Sequence, residues 1–190
     1  MKIFFYGGTF DPPHIGHYNI VKHCLNLCEK FIVIPVKQSP LKIVKPEVSD
    51  NHRLQMLKIL FKVFNKVKID TFELDSDKES YTYLTIDYLK NKFPGCNLTM
   101  VIGYDQLLRL NKWKNYKQII NDVNILCFNR KINHKLEYDD KKINFVNSFN
   151  YDVSSKEVRR KIKNNKQLNY LNMLDPKIMS YIIENNLYES

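Results

Sequence analysis

The sequence has 190 residues, 44% of them hydrophobic and 26% charged, with a formal net charge of +10. That length suits one buried core and a single domain over residues 1–190. No run reaches the about 18 consecutive apolar residues of a membrane span, and Met1-Lys2 leads straight into a strand-like run without a long apolar leader, so a cytoplasmic, non-membrane protein is expected.

The first apolar run, residues 3–6, has strand length, and further strands are expected at 31–36, 67–72, 98–102, 125–128 and 143–146. Helices are expected between and after them, at 15–28, 51–65, 81–93, 105–110, 116–121, 155–164 and 176–185. Ser49-Asp50 gives the second helix a capping start, Pro94-Gly95 stops the third, and Pro176 sits in the first turn of the last. Strands that are apolar throughout and separated by helices call for a parallel sheet covered on both faces. The expected class is therefore α/β, a Rossmann-like doubly wound parallel sheet with helices on both faces. Ligands of such sheets bind outside the carboxyl ends of the strands, which directs attention to the loops after Tyr6, Val36, Ile102 and Val146.

The cysteines Cys24, Cys28, Cys96 and Cys127 lack the paired clustering of a zinc ribbon and read as core residues in a reducing compartment. A two-cysteine metal site at Cys24 and Cys28 is the other reading. Lysine is spread along the chain without a basic block or an aromatic-basic module. The charge therefore reads as solvated surface, or as attraction for a phosphate-bearing small molecule, rather than as a nucleic-acid face.

The richest stretch is Gly7-Gly8-Thr9-Phe10-Asp11-Pro12-Pro13-His14-Ile15-Gly16-His17, between the first strand and the first helix. Gly7 and Gly8 let backbone approach a ligand, and Thr9 and Phe10 offer backbone N–H groups beside a helix N-terminus. His14 and His17 share one helix face and can both donate to an anion. A phosphate site is the expected use; a metal held by the two histidines with Asp11, or a structural Pro-rich turn, are the alternatives.

This stretch resembles the G-x-F-x-P-x-H-x-G-H signature of the nucleotidyltransferase superfamily, and Ser154-Ser155-Lys156-Glu157-Val158-Arg159 resembles its S-S-x-x-[IV]-R motif. The resemblance implies that His17 clamps the transferred nucleotidyl phosphate and that His14 supports the triphosphate. Ser154 and Ser155 can cap a helix and hold phosphate oxygens, and Arg159 can reach the same anion. The segments 80–85, 101–105, 110–113 and 184–188 extend the resemblance over essentially the whole chain, to the bacterial nicotinate-nucleotide adenylyltransferases. That family implies ATP and nicotinate mononucleotide as substrates, with Mg²⁺ on the triphosphate and no metal site on the protein. Oligomeric state stays open, a homo-oligomer included.

By the same resemblance Lys42 meets substrate phosphate, and Thr85 belongs to the wall that recognises nicotinate. Trp113 offers an indole face to a pyridine ring, and Gly103 and Asp105 border the nucleotide, Asp105 accepting from ribose hydroxyls. Each also has a plain reading: a solvated lysine, a routine helix threonine, a tryptophan at the edge of the core, a helix cap. Two positions depart from the family, Leu41 where a histidine is usual and Lys114 where an aromatic is usual. The rival functions are the same chemistry on nicotinamide mononucleotide or phosphopantetheine, a nucleotide-binding regulator without catalysis, and a basic nucleic-acid-binding domain.

Overall fold

A computed structural model describes residues 1–38, 45–77, 79–128, 142–147, 149, 151, 153–164 and 172–189, and the structural statements below concern these residues. Lys42 and Leu41 lie outside them. In chain order the elements are β1 (Lys2–Gly8), α1 (Ile15–Cys24), β2 (Lys30–Pro35), α2 (Asp50–Phe61), β3 (Val67–Ile69), α3 (Thr82–Lys92) and β4 (Asn97–Gly103). There follow α4 (Tyr104–Leu107), a 3-10 turn (Leu110–Lys112), α5 (Tyr116–Asp122), β5 (Asn124–Phe128), β6 (Ile143–Val146), α6 (Ser155–Asn164) and α7 (Pro176–Glu184).

The strands form one sheet in the order β3-β2-β1-β4-β5-β6, with every neighbouring pair parallel. Alternation along each strand feeds two cores. Phe4, Phe31, Val33, Val101, Leu126 and Phe128 pack on one face with α1, α2, α6 and α7. Ile3, Phe5, Ile32, Ile34, Met100 and Ile125 pack on the other with α3, α4 and α5. Burial on both faces is why the strands read as unbroken apolar runs. The doubly wound α/β class expected from the sequence is the one found.

Strand order reverses between β1 and β4, which pair directly from Lys2↔Asn97 to Phe5↔Met100. Their following loops therefore open side by side, at the crevice where such sheets bind ligands.

The differences from the sequence reading are local. β3 ends at Ile69 because the Asp70 carboxylate accepts the Phe72 N–H at 3.1 Å, folding the chain into a turn. α1 stops at Cys24, where the N–H of Leu27 closes a tight turn onto the Cys24 carbonyl at 2.9 Å. The helix expected over 105–110 is split into α4 and the 3-10 turn. None of the described helices is long and apolar enough to cross a membrane.

Candidate active site

β1 delivers Gly7 and Gly8 to the carboxyl edge of the sheet, and Phe10 then turns the chain in a left-handed conformation (φ 50°). A Cβ on Gly8 would lie 2.9 Å from the tip of the Phe10 ring, so this glycine lets the buried phenyl fold back beneath the loop. That ring meets His17 edge-on, with centroids 4.9 Å apart.

His14 is the N-cap of α1, and its ring stacks on that of His17 with centroids 3.6 Å apart and planes 21° from parallel. The His14 backbone N–H donates to His17 Nδ1 at 3.1 Å. While Nδ1 accepts it carries no proton, so the N–H of the His17 ring sits on Nε2. Gly16 makes the stack possible, because a Cβ there would stand 3.0 Å from Cε1 and Nδ1 of the His14 ring. The first turn of α1 contains no acidic residue, so no carboxylate within that turn offsets the positive field of its N-terminus.

The loop is fixed by distant parts of the chain. The Arg53 side chain, 0% exposed, donates from one terminal nitrogen to the carbonyls of Thr9 (2.6 Å) and Val36 (2.8 Å), and from the other to Asp50 (2.5 Å). It ties the loop after β1 to the loop after β2. Ser155 Oγ donates to the Pro12 carbonyl at 2.9 Å, and Ser154 Oγ caps α6 by accepting the Glu157 N–H at 3.2 Å.

Arg159 donates to the Asp11 carbonyl (2.5 Å) and from Nε to Glu47 Oε1 (2.7 Å), while Lys163 pairs with Glu47 Oε2 at 3.1 Å. Burial alone would raise the Glu47 carboxyl, but Lys163 and Arg159 outweigh it and hold it below the ordinary carboxylate range. The Asp11 carboxylate accepts the Glu47 N–H at 2.8 Å and the Tyr188 hydroxyl at 2.7 Å. Asp11 is thus a latch for the loop, an arrangement different from the metal ligand weighed for it. Among the described residues no group of three or more His, Cys, Asp or Glu side chains could hold a metal ion.

The structure therefore gathers Gly7, Gly8, Thr9, Phe10, His14, His17, Ser155 and Arg159 around one loop, with Ser154 at the cap of the helix that touches it. Gly103 and Asp105 follow β4, the strand beside β1. Gly103 itself is the N-cap of α4, and Asp105 lies in the first turn, its Oδ2 accepting from Gln106 at 2.7 Å. The absent Cβ on Gly103 leaves room for that carboxylate, which would otherwise stand 2.7 Å away.

Thr85 and Trp113 lie on the other face of the sheet, with the second core. Thr85 is buried and donates to Glu73 Oε1 at 2.6 Å. Thr85 and Glu73 line a cavity of about 290 Å³ that also touches Ser80, Tyr81 and Leu84. Trp113 is half-buried at the edge of that core, so its plain reading describes its inner edge. Beside it Lys114, where the family usually has an aromatic, sets its ammonium 4.4 Å over the ring of Tyr81, a cation–π contact. A larger hollow of about 520 Å³, lined by Asp70, Asp75, Tyr88 and Lys92, lies beyond the edge strand β3 and includes none of the expected site residues. Sequence reasoning missed Arg53, Glu47 and Tyr188 as parts of this architecture.

The cytidylyltransferase-like family profile matches residues 5–161. A protein of Hydrogenobaculum sp. (strain Y04AAS1), named "Probable nicotinate-nucleotide adenylyltransferase", is 34% identical over 99% of this chain and 98% of its own length. One of the same name from Fusobacterium nucleatum is 37% identical over 90% of this chain and 92% of its own. The solved structure of Plasmodium falciparum nicotinic acid mononucleotide adenylyltransferase complexed with NaAD superposes with a TM-score of 0.82 at 24% identity, covering 99% of this chain and 97% of that one, a likeness of fold. The chain belongs to the cytidylyltransferase-like family and, within it, to the group named nicotinate-nucleotide adenylyltransferase.

Proposed function

We propose that the chain transfers the adenylyl group of ATP to nicotinate mononucleotide, forming deamido-NAD and pyrophosphate for NAD biosynthesis. The observation that carries the reading is the stacked His14–His17 pair at the N-terminus of α1, with the imidazole proton of His17 assigned to Nε2. An acceptor phosphate oxygen attacks the α-phosphorus, and the bond from that phosphorus to the bridging oxygen breaks as pyrophosphate leaves. The acceptor phosphate is already ionised at neutral pH, so no protein base is needed. The barrier falls by alignment and by stabilising charge on the equatorial oxygens.

His17 donates from Nε2 to the transferred phosphate, and His14 braces that ring and borders the triphosphate. The backbone of Gly7, Gly8, Thr9 and Phe10, with Ser154, Ser155 and Arg159, completes the phosphate cradle. Gly103 and Asp105 border the ribose, Lys42 meets the acceptor's phosphate, and Thr85 and Trp113 face its pyridine ring. Mg²⁺ arrives with the nucleotide, as part of the MgATP substrate. The whole of residues 1–190 acts as one nucleotidyltransferase domain, in the cytoplasm. Pyrophosphate release from MgATP, measured in parallel with nicotinate mononucleotide, nicotinamide mononucleotide and phosphopantetheine, tests this. Release is expected to be fastest with the first; preference for another acceptor reassigns the substrate, and release with none removes the enzymatic reading.

A further inference from the structure

The ending Leu187-Tyr188 takes no part in the chemistry above, yet the fold brings it to the signature loop. Tyr188 is 5% exposed and donates its hydroxyl to Asp11 Oδ1 at 2.7 Å, across a sequence separation of 177. Burial, reinforced by the Asp11 carboxylate, pushes the phenol pKa far above its ordinary value, so the group remains a donor throughout the working range of pH. Its backbone is left-handed (φ 65°), as is that of Asn186 (φ 50°). For a bulky side chain this conformation is strained and persists only where surrounding contacts impose it. Here they do: Leu187 is buried in the first core, and its N–H bonds the Ile182 carbonyl at 3.0 Å, folding the segment back over the end of α7.

The opposite flank of α7 holds the same loop. The Met173 carbonyl accepts the N–H of Ile15, the first residue of α1, at 2.9 Å. Residues 173–188 therefore grip the loop at Asp11 and again at Ile15. Between these points lie Pro12 and Pro13, whose rings fix φ, and then His14. With so little torsional slack, the position of Asp11 is passed on to His14, and through the ring stack to His17. The Asp11 carbonyl is also the acceptor that seats Arg159.

We propose that Tyr188 is a positioning residue for adenylyl transfer: its hydroxyl sets Asp11, and thereby the placement of the His14–His17 pair and of Arg159. The proposal rests on the function given above, and its test separates the two. In Tyr188→Phe the ring still fills its site and only the hydroxyl is lost. Its kcat is expected to fall about 10-fold or more, as for a small misplacement of reacting groups, with KM for both substrates within about threefold of wild type. Tyr188→Leu, which also empties part of the site, should lower Tm as well.

A residue that merely packs gives the opposite pattern: Phe keeps kcat, and Leu loses stability. A wild-type kcat for Tyr188→Phe, measured below the melting midpoint of both proteins, therefore overturns the proposal. A second reading needs no activity. Ring NMR signals of His14 and His17 in the ligand-free protein should shift in Tyr188→Phe while that of His23 stays in place. Unmoved His14 and His17 signals overturn the proposal even if the wild type turns over. Shifted signals sustain the coupling even if the acceptor proves to be another molecule.

Discussion

A single hydrogen bond gives His17 its chemical character. Because Nδ1 accepts the His14 N–H, the ring presents Nε2–H as a donor of fixed identity, already organised before a nucleotide binds. His17→Ala should lower kcat about 10²-fold or more, with a much smaller change in ATP affinity. An unchanged kcat would remove His17 from the mechanism. Gly16 offers a milder probe of the same pair. An alanine Cβ would stand 3.0 Å from two atoms of the His14 ring, so the stack must open by a few tenths of an ångström. Gly16→Ala is therefore expected to lower kcat with ATP binding largely kept. A variant with normal turnover would show that the stack has slack.

The elements show what could be read from the sequence and what could not. The strands were legible because burial on both faces writes itself as continuous apolar runs such as residues 31–36. The start of α2 was legible because the chemistry of the Ser49 cap is local, its hydroxyl accepting the His52 N–H at 3.4 Å. For α7 the sequence marked Pro176, and the structure adds the Asp175 cap, which accepts the Lys177 N–H at 2.9 Å. The loop of residues 7–17 was legible as residue types, but its anchors were not. Asp11 looks like a ligand until Tyr188, far along the chain, is seen to bond it. Arg53 did leave a trace: the buried stripe of α2 runs Met56, Leu57, Leu60 and Phe61, and one turn earlier it lands on Arg53. A charged residue on an apolar stripe points to buried acceptors, here the Thr9 and Val36 carbonyls. In Arg53→Met the thioether fills space but donates nothing, and each orphaned carbonyl costs about 1–3 kcal/mol. Thermal unfolding should show the loss as about 2–4 °C per kcal/mol in a chain of this size. A midpoint equal to wild type would mean that water replaces the guanidinium.

At the scale of the molecule, the sheet divides the proposed labour. The face with α1, α2, α6 and α7 carries the phosphate loop, and the face with α3 and α5 carries Thr85 and Trp113. The crevice between β1 and β4 is where the two can serve one reaction. Behind Thr85 the second face buries an acid, Glu73, 5% exposed. Burial raises its carboxyl above the ordinary value of 4.5, and the hydroxyls of Thr85 and Ser80 pull it only partly back. The native state therefore holds this proton more tightly than the unfolded chain does. Below the ordinary value both states are protonated and the contribution to stability is complete. As pH rises through the raised native value the unfolded chain ionises first, and the contribution is lost.

Glu73→Gln keeps a carbonyl oxygen for the Thr85 hydroxyl and removes the charge. Its Tm is therefore expected to exceed that of wild type at pH 8, with the gap narrowing steadily as pH falls toward the ordinary carboxylate range. A gap that is flat across this window would show that Glu73 titrates alike in the folded and unfolded chain. If the gap closes as expected while KM for nicotinate mononucleotide also shifts, the buried carboxyl acts on the acceptor through the hydroxyl of Thr85. An unchanged KM confines Glu73 to the stability of the fold.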